Sequence, residues 1–408
     1  MQDKIKAGLI GRTLKHSYSK VIHSYLGDYD YDLYEIEPEN LQDFVKSGAD
    51  AFNVTIPYKS EIIKYLDHVD ENALNVGAVN TVVKKNGLSY GYNTDFNGMI
   101  YVIKRASIEV CGKNVMILGS GGTSKTARAV ARFLGAKEIT VVSRSGEVNY
   151  SNCGELKQTQ VIINTTPVGM YPDNYSLLLS PSSFPLLEGV VDVVYNPSLT
   201  RFCFEAREKG IKYTNGLPML VAQAKYASEL FTGRKIDDGV IEDIVKVLEK
   251  QVTNVVLIGM PGGGKTTIGK EIARRLNREF IDTDAEVEKM LDKDIPSVIK
   301  EMGEPYFRKA EMKVVQEVGK LTGKVIATGG GVVKNAENLF PLLSNGKIFW
   351  IDRDVNLLAL NGRPLSNGAG GVNKLYEERK GLYQKFSQVK IKNDADIDSA
   401  VEEVMKNL

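Results

Sequence analysis

Short apolar runs and longer amphipathic segments alternate along most of the chain. The apolar runs are rich in β-branched residues and read KIKAGLIG, DLYEIEP, DAFNVTIP, NVMILGSGG, EITVVSR, QVIINTTP, GVVDVVYNP, NVVLIGMPG, REFIDTD, KVIATGGG and GKIFWID. Such runs are typical of strands buried in a parallel sheet, with crossover helices between them. The pattern therefore predicts an α/β protein built on parallel strands.

The length of the chain indicates more than one domain. Its 408 residues exceed the roughly 250–300 residues at which a single hydrophobic core stops growing. The segment IEDIVKVLEK predicts a closing amphipathic helix, and NVVLIG begins a new strand a few residues later. We therefore predict two or three domains, with a boundary near residues 251–253.

The charge balance narrows the possible partners. Lys and Arg number 52 against 51 Asp and Glu, so no basic surface for nucleic acid or an anionic membrane is indicated. No run approaches the roughly 20 apolar residues of a membrane span, and the first residues lack the apolar core of a signal peptide. We expect a cytoplasmic enzyme with small-molecule substrates. His16, His23 and His68 lack metal-ligand spacing, and we expect them at helix ends or on the surface.

The stretch GMPGGGKTT, residues 259–267, lies between an apolar strand and the helical segment TTIGKEIARRL. It matches the pattern GxxxxGK[ST], in which glycines let backbone N–H groups converge on phosphate. Lys265 can reach the terminal phosphates, and the Thr266 hydroxyl can ligate Mg²⁺. The motif predicts a site for ATP and Mg²⁺.

Polar residues downstream of this loop suggest a small anionic polyol as the phosphate acceptor. Asp282 and Asp284 follow the next apolar run, where one can serve Mg²⁺ and the other a substrate hydroxyl. Three arginines follow in separate motifs: Arg308 in GEPYFRKAE, Arg363 in NGRPLS and Arg379 in YEERKGLY. A turn of three glycines, Gly329, Gly330 and Gly331, stands in ATGGGVV. Converging arginines can hold a carboxylate and the transferring phosphoryl group.

In this order the motifs resemble shikimate kinase from about Val255 to the C-terminus. The resemblance implies Lys265, Asp284 and Arg363 as catalytic residues. It assigns the nucleotide to Gly262, Gly264, Lys265, Thr266 and Thr267, Mg²⁺ to Thr266 and Asp282, and shikimate to Asp284, Arg308, Gly329, Gly330, Gly331 and Arg379.

A second glycine-rich turn, GSGGTSKTA, residues 119–127, follows the apolar run NVMILG and opens a helix. This arrangement seats a pyrophosphate on helix N-terminal amides. The next strand ends at Ser143, Arg144 and Ser145, where an NAD site usually has an acidic residue, and a cation with two hydroxyls suits the 2′-phosphate of NADP. Glu147 lies a little further on, so use of NAD stays open.

Amide and hydroxyl residues in the first hundred positions suit a polyol ring. Asn53, Thr55 and Lys59 stand in FNVTIPYK, and Asp95 stands in GYNTDFNG. A lysine beside a carboxylate can protonate an oxygen as hydride reaches a ketone carbon. The alternative for these two residues is a solvated lysine and a helix N-cap aspartate.

Residues 1 to about 250 resemble shikimate dehydrogenase. The resemblance rests on HSxS, NVTxPxK, GAVNT, GxNTDxxG, GxGGxxxA, INTTPVGM, DVVYNPxxT and NGLPMLVxQ. It implies Lys59 and Asp95 as the catalytic pair. It assigns the substrate to Ser17, Ser19, Asn53, Thr55, Asn80, Tyr195 and Gln223, and NADP(H) to Gly119, Gly121, Gly122, Ser143, Arg144, Ser145, Thr165 and Met170.

The two resemblances together imply a two-domain dehydrogenase followed by a kinase. We predict a substrate domain in residues 1–100, onto which helices in about residues 217–250 pack back. A Rossmann-like NADP domain in residues 101–216 and a P-loop kinase domain in residues 254–408 complete the prediction. The fold is α/β throughout, and the sequence does not indicate an oligomeric state.

Two alternatives remain. A quinate/shikimate dehydrogenase fused to another small-metabolite P-loop kinase would keep the fold and change the substrates; Arg144 disfavours its NAD-dependent form. A catalytically inactive ligand-binding scaffold would keep both nucleotide folds. This alternative is disfavoured because the chain retains all four candidate catalytic residues: Lys59, Asp95, Lys265 and Asp284.

Overall fold

The computed structural model describes residues 4–14, 18–358 and 369–408, and within these the chain divides into two units. The first unit comprises residues 1–195 and 200–247, and the second comprises residues 196–199 and 248–408. Ser17 and Arg363, both predicted site residues, lie outside the described residues.

The first unit begins with a six-stranded mixed sheet of order β2-β1-β3-β5-β6-β4. Its strands are β1 (Lys6–Gly11), β2 (Asp30–Glu35), β3 (Ala51–Val54), β4 (His68–Val69), β5 (Thr81–Lys85) and β6 (Leu88–Tyr92). Its helices are α1 (Ser19–His23), α2 (Leu41–Ser47), α3 (Glu71–Val76) and α4 (Thr94–Arg105). Strands β1, β2 and β3 are parallel because helices connect them. Ile10 of β1 and Phe52 and Val54 of β3 pack with buried residues of α2 and α3 in the core of this layer.

A β-hairpin adds antiparallel strands to the first sheet, which the pattern of apolar runs did not predict. Strand β5 pairs antiparallel with both β3 and β6. The turn between β5 and β6 is Asn86–Gly87, with φ of 54° and 79°. Two positive φ angles match the twist of a two-residue hairpin, and Asn-Gly is the dipeptide that adopts them most readily.

The second sheet of the first unit is entirely parallel, in the order β11-β10-β9-β7-β8. Its strands are β7 (Asn114–Leu118), β8 (Glu138–Val142), β9 (Val161–Asn164), β10 (Gly189–Asp192) and β11 (Lys212–Thr214). The helices of this part of the chain are α5 (Gly122–Phe133), α6 (Arg201–Glu208), α7 (Leu217–Thr232) and α8 (Gly239–Val252).

Helix α7 returns to the first sheet and packs closely on α4. Its Ala227 and Phe231 join the buried cluster beneath β1 and β3. At the crossing, a Cβ on Gly98 would lie 2.9 Å from the Met219 carbonyl oxygen and 3.2 Å from the Gln223 backbone nitrogen. Only a residue without a side chain fits between the two helices at this distance.

The second unit has a five-stranded parallel sheet of order β13-β14-β12-β15-β16. Its strands are β12 (Asn254–Ile258), β13 (Phe280–Asp282), β14 (Val325–Ala327), β15 (Gly346–Asp352) and β16 (Val389–Lys392). Its helices are α9 (Lys265–Leu276), α10 (Thr283–Leu291), α11 (Ile295–Met302), α12 (Glu304–Gly319), α13 (Leu339–Ser344), α14 (Ala369–Phe386) and α15 (Ile397–Lys406). The fully buried β12 is central, so the loop that follows it opens at the middle of the sheet edge.

One histidine prediction needs correction. His23 ends α1 as expected, but it is 1% exposed and stacks on Tyr31 at a centroid distance of 3.9 Å. Its Nδ1 is 2.6 Å from the Tyr29 hydroxyl. Burial lowers the pKa of His23 to about 3, because the charged imidazolium would lose its hydration. His23 is therefore a neutral core residue.

Candidate active sites

A cleft of about 560 Å³ lies in the first unit between the ends of β1 and β3 and the helices α4 and α7. Every substrate and catalytic residue predicted for this unit, Ser17 excepted, lines it: Ser19, Asn53, Thr55, Lys59, Asn80, Asp95, Tyr195 and Gln223. The parallel strands bring their carboxyl ends to one edge, which is where α/β folds commonly bind ligands.

Lys59 and Asp95 meet inside this cleft. The Lys59 ammonium donates to Asp95 Oδ2 at 2.7 Å, and their side chains are 21% and 11% exposed. Asp95 lies in the first turn of α4, where the helix dipole favours a carboxylate. The capping residue of α4 is Asn93, whose side chain accepts from the Phe96 N–H. The pair is thus held by a capped helix and remains accessible from the cleft.

The amides at the cleft wall belong to a hydrogen-bonded network. Asn80 Oδ1 accepts from the Thr94 N–H at 2.7 Å, and Asn80 Nδ2 donates to Thr94 Oγ1 at 3.0 Å and to Gln223 Oε1 at 3.4 Å. Asn53 accepts from the Tyr31 hydroxyl at 2.8 Å and donates to Thr81 Oγ1 at 3.2 Å. Both ends of the Asn53 amide are therefore used inside the protein, which holds the side chain in one orientation.

The first glycine-rich turn fits a dinucleotide phosphate. Gly119 has φ of +106°, and a Cβ there would lie 2.8 Å from Thr165 Oγ1. Gly121 is the N-cap of α5 and has no side-chain capping bond. A Cβ on Gly121 or Gly122 would meet no atom within 4 Å, so space remains in front of the helix terminus. Backbone N–H groups and the helix dipole favour an anion in that space.

The residues expected to contact the rest of NADP lie beside this turn. Ser143, Arg144 and Ser145 follow β8, and the Gly119 N–H donates to the last carbonyl of that strand, Val142, at 2.8 Å. Arg144 is exposed. Thr165 follows β9 on the other side, where its hydroxyl donates to the Leu118 carbonyl at 2.6 Å. Met170, 44% exposed, comes directly after Gly169.

A buried carboxylate supports the strand ends on this side, and the sequence reasoning missed it. Asp192 is 1% exposed and accepts from Asn164 Nδ2 at 3.0 Å, the Val194 N–H at 3.1 Å and Thr200 Oγ1 at 2.7 Å. Burial raises the pKa of Asp192 to about 6, because the ionised form is desolvated. The DVVYNP motif contains Asp192, but an apolar run gives no sign of such bonds.

In the second unit, the loop between β12 and α9 wraps around Lys265. Gly259, Gly262 and Gly264 have φ of +145°, +79° and +93°, conformations that residues with side chains rarely adopt. The Lys265 ammonium donates to the Gly259 and Met260 carbonyls, both at 2.9 Å. The twelve-residue helix α9 starts here without a side-chain cap, so its N-terminus fits phosphate.

Hydroxyl and carboxylate oxygens that fit Mg²⁺ lie next to this loop. Thr266 Oγ1 donates to Asp282 Oδ2 at 3.0 Å, and Asp282 also caps α10 by accepting from the Asp284 N–H. Among the described residues no group of three or more His, Cys, Asp or Glu side chains converges. A magnesium ion here would therefore take most of its ligands from phosphates and water, as is usual for Mg²⁺.

The predicted acceptor residues form a compact ionic cluster. Arg308 Nη1 donates to both oxygens of Glu311, at 3.0 and 2.8 Å, and Arg308 Nη2 donates to Glu304 at 3.0 Å. Burial, reinforced by the nearby Asp282 charge, raises the pKa of Asp284. Arg379 is 5% exposed and donates to the Gly330 carbonyl at 3.0 Å.

The backbone of the turn formed by Gly329, Gly330 and Gly331 lies close to the ionic cluster and to the phosphate loop. A Cβ on Gly329 would lie 2.3 Å from Asp284 Oδ1, one on Gly330 would lie 2.5 Å from Pro261 Cδ, and one on Gly331 would lie 2.2 Å from Arg308 Nη2. The turn thus connects the Asp and Arg side chains to the phosphate loop.

Glu311, fully buried, was not singled out from the sequence. Its position one helical turn after Arg308 is the available signal, because residues three apart meet on a helix face.

The two sites define a dinucleotide-dependent oxidoreductase joined to a P-loop phosphotransferase, and comparisons with known proteins agree. The family models that match are the shikimate dehydrogenase substrate binding domain over residues 9–82 and shikimate kinase over residues 261–408. The NADP(+) shikimate dehydrogenase of Clostridium perfringens is 37% identical over 267 residues, which is 59% of this chain and 97% of that protein. Its counterpart in Methanococcus maripaludis is 36% identical over 56% of this chain and 92% of its own length.

Solved structures show the same relationship. A chorismate mutase/shikimate 5-dehydrogenase fusion from Clostridium acetobutylicum is 34% identical, with a TM-score of 0.58 over 61% of this chain and 98% of that chain. The shikimate 5-dehydrogenase of Thermus thermophilus, solved with NADP(H) and shikimate, is 28% identical, with a TM-score of 0.55 over 60% of this chain and 99% of that chain. The chain belongs to the shikimate dehydrogenase family and carries a shikimate kinase domain after it.

These findings confirm both predicted resemblances, the α/β fold class and the paired enzyme classes with their cofactors NADP and ATP. No helix in the described parts of the chain is long and apolar enough to cross a membrane.

Proposed function

We propose that the chain reduces 3-dehydroshikimate to shikimate with NADPH and then phosphorylates the shikimate 3-hydroxyl with ATP. The observation that carries the proposal is the convergence of polyol-type side chains and the Lys59–Asp95 pair on one cleft of a chain that also carries a P-loop. A dehydrogenase and a kinase for consecutive steps would thus share one polypeptide.

In the first reaction, Lys59 is the proposed proton donor. NADPH supplies the hydride when bound, and the Lys59 ammonium protonates the carbonyl oxygen as it becomes a hydroxyl. Asp95 accepts a hydrogen bond from this ammonium at 2.7 Å and so orients it toward the cleft. The substrate is held by Ser17, Ser19, Asn53, Thr55, Asn80, Tyr195 and Gln223. Because both ends of the Asn53 amide are already engaged and the residue is 4% exposed, its proposed part is to hold the cleft wall in position.

The proposed cofactor contacts follow from the two strand ends beside Gly119. The amides of Gly119, Gly121 and Gly122 would hold the pyrophosphate. Arg144, with Ser143 and Ser145, would hold the 2′-phosphate, and Thr165 and Met170 would lie near the cofactor. Arg144 is exposed, which suits a guanidinium that has to reach a phosphate.

In the second reaction, Asp284 is the proposed acceptor of the hydroxyl proton. Its pKa, raised by burial, brings the carboxylate closer to the range of a general base at neutral pH. Arg308 and Arg379 hold the substrate carboxylate, and Gly329, Gly330 and Gly331 support the ring. Lys265 and Arg363 stabilise the charge of the transferring phosphoryl group.

The nucleotide contacts belong to the loop and the first turn of α9. Gly262, Gly264, Lys265, Thr266 and Thr267 hold the phosphates of ATP, and Thr266 with Asp282 holds Mg²⁺. We also propose that the substrate domain occupies residues 1–100, with helices in residues 217–250 packing back, that the NADP domain occupies residues 101–216, and that the kinase occupies residues 254–408.

A single incubation tests this proposal. The chain is mixed with 3-dehydroshikimate, NADPH and Mg-ATP, while NADPH absorbance and product mass are followed. We expect NADPH loss together with shikimate 3-phosphate. Accumulation of unphosphorylated shikimate would refute the proposed kinase activity. Phosphorylation of added shikimate without NADPH oxidation would refute the proposed dehydrogenase activity.

A further inference from the structure

The first unit has a second and larger cleft, the α4–α7 groove, of about 950 Å³. One wall is the face of α4 that carries Asn97, Ile100, Tyr101 and Lys104, positions that share a helix face. The other wall is the end of α7 and the residues after it: Tyr226, Glu229, Leu230, Gly233, Arg234, Lys235 and Asp238. Asp70, Lys85, Tyr92, Asn93 and Thr94 also line the groove. Its volume lies at the upper end of the roughly 300–1,000 Å³ typical of small-molecule sites.

Most of the negative charge in the groove is already neutralised. Glu229 pairs with Lys225 at 2.9 Å and with Lys235 at 3.2 Å, and Asp238 pairs with Lys225 at 2.8 Å. Lys225 itself is 3% exposed and sits behind the wall. The carboxylates of Glu229 and Asp238 therefore add little net negative charge to the groove.

Three cations of the groove have no such partner. Throughout residues 4–14, 18–358 and 369–408, no ion pair or side-chain hydrogen bond engages Lys85, Lys104 or Arg234, whereas Arg105 is held by Glu242 at 2.7 Å. Asp70 caps α3 and is the remaining carboxylate at the groove. The uncompensated charge is positive, and such a cleft concentrates small anions.

The groove and the dehydrogenase cleft are built on the same two helices. Thr94 lines the groove and bonds Asn80 of the cleft at 2.7 Å, and the next residue along the chain is Asp95. On α7, Tyr226 of the groove follows Gln223 of the cleft by three residues. A ligand that draws the groove walls together would therefore act on residues that border the substrate.

We infer that the α4–α7 groove binds a compact organic anion with two or more carboxylate or phosphate groups, and that its occupancy changes the kinetics of the dehydrogenase cleft. The binding follows from the charge and shape of the groove alone. The kinetic effect rests on the proposed dehydrogenase function.

Binding is tested on the full chain by calorimetry at constant ionic strength, with citrate as the carboxylate probe and phosphoenolpyruvate as the mixed carboxylate and phosphate probe. The double variant Lys104→Glu/Arg234→Glu is compared with the wild type, and Lys137→Glu, an exposed lysine outside the groove, is the matched control. We expect at least tenfold weaker binding in the double variant and unchanged binding in the control. Stronger binding of one probe identifies the preferred anionic group.

Two further measurements separate the inference from its alternatives. The neutral variant Lys104→Gln/Arg234→Gln repeats the test if charge reversal prevents folding. Dehydrogenase kinetics at saturating anion are compared with each protein's own anion-free rate. We expect at least a twofold change in KM or kcat in the wild type and Lys137→Glu, and none in the groove variants.

Absence of binding to the wild type would overturn the inference, and so would equal binding by all variants, which would locate the anion at another site. Binding that is lost in the groove variants without any kinetic change would retain the site and overturn its effect on the cleft. If the wild type showed no dehydrogenase activity, the calorimetric comparison would still decide whether the groove binds.

Discussion

Lys59 and Asp95 come from different elements, a turn after β3 and the first turn of α4, yet their charged atoms are 2.7 Å apart. Sequence motifs predicted that the two residues act together, because each stood in a separate polar motif next to an apolar run. They could not predict the surrounding network. The bonds of Asn53 to Tyr31 and Thr81 depend on strand register, which brings Asn53 opposite Thr81 across antiparallel β3 and β5.

Replacement of Lys59 tests the proton-donor role. Lys59→Met keeps most of the side-chain volume and removes the ammonium, so we expect kcat for ketone reduction to fall by about 10²–10⁴, the usual contribution of a positioned acid. The substrate KM should change much less. Steady-state NADPH oxidation measures both quantities. Phosphorylation of added shikimate by the same variant is the control, and a kcat within a fewfold of wild type would refute the assignment.

Asp192 gives a prediction about stability and pH. Its pKa is about 6 in the folded protein and lies near 3.8 in an exposed carboxyl. The folded state therefore holds the proton more tightly than the unfolded state. The protonated Asp192 carboxyl therefore stabilises the folded state fully below a pH of about 4, and this stabilisation is lost as pH rises through about 6. The free energy of unfolding should fall by about 2–3 kcal/mol across this range, as expected for a fully buried group.

Asp192→Asn removes this titration while one amide oxygen can still accept from Asn164 and the Val194 N–H. We expect the difference in unfolding free energy between variant and wild type to shift in favour of the variant as pH rises from 4 to 7. Urea denaturation at a series of pH values measures it. A pH-independent difference would show that Asp192 has an ordinary pKa.

At the scale of elements, the sequence predicted the strands that have a continuous apolar run. The fully buried strands were all recognised from continuous apolar runs: β3, β9, β10, β12 and β14. The two-residue β4 and the partly exposed β6, β11 and β16 were not, because their stability comes from pairing rather than from an apolar run. Strand β5 was also missed, because only its first three residues are buried and two lysines follow them. The Asn86–Gly87 turn was a usable signal for the β5–β6 hairpin.

The crossing of α4 and α7 at Gly98 supports a prediction at this scale. A Cβ at this position would be 2.9 Å from the Met219 carbonyl oxygen, so Gly98→Ala forces the helices apart. We expect a loss of about 1–3 kcal/mol in stability, as for other overpacked interiors. Gln223 should shift with α7, which should raise the substrate KM in the dehydrogenase reaction.

Thermal unfolding and steady-state kinetics measure these two effects. Gly87→Ala is a useful comparison, because no atom lies within 4 Å of its Cβ position and its cost is purely one of backbone conformation. It should destabilise the hairpin and leave the substrate KM in the dehydrogenase reaction unchanged. Equal KM values in Gly98→Ala and wild type would show that α7 can adjust without moving Gln223.

On the scale of the whole molecule, two units each contain their own candidate site and share no site residue. The sequence predicted both the order of the units and the chemistry of each, since glycine-rich turns and acid–base residues lie in recognisable motifs. What it could not predict is where burial shifts a pKa, as in Asp192 and His23, because burial is a property of the folded packing.

Separate sites predict separable reactions. Asp284→Asn should lower phosphorylation of shikimate by about 10²–10⁴ through loss of the proton acceptor, while NADPH oxidation proceeds at the wild-type rate. Product mass during the coupled incubation would show shikimate accumulating. A parallel fall in NADPH oxidation would mean that the units depend on each other, and Lys300→Ala, an exposed residue of α11, controls for non-specific damage to the second unit.

The three consecutive glycines at residues 329–331 are limited by three different neighbours, Asp284, Pro261 and Arg308. A library randomised at these positions should therefore not yield one shared suppressor. A side chain at residue 330 would meet Pro261 of the phosphate loop, whereas one at residue 329 would displace the Asp284 carboxylate and one at residue 331 the Arg308 guanidinium. Each substitution would therefore need its own compensating change, and at residues 329 and 331 the displaced group is one proposed to hold the substrate.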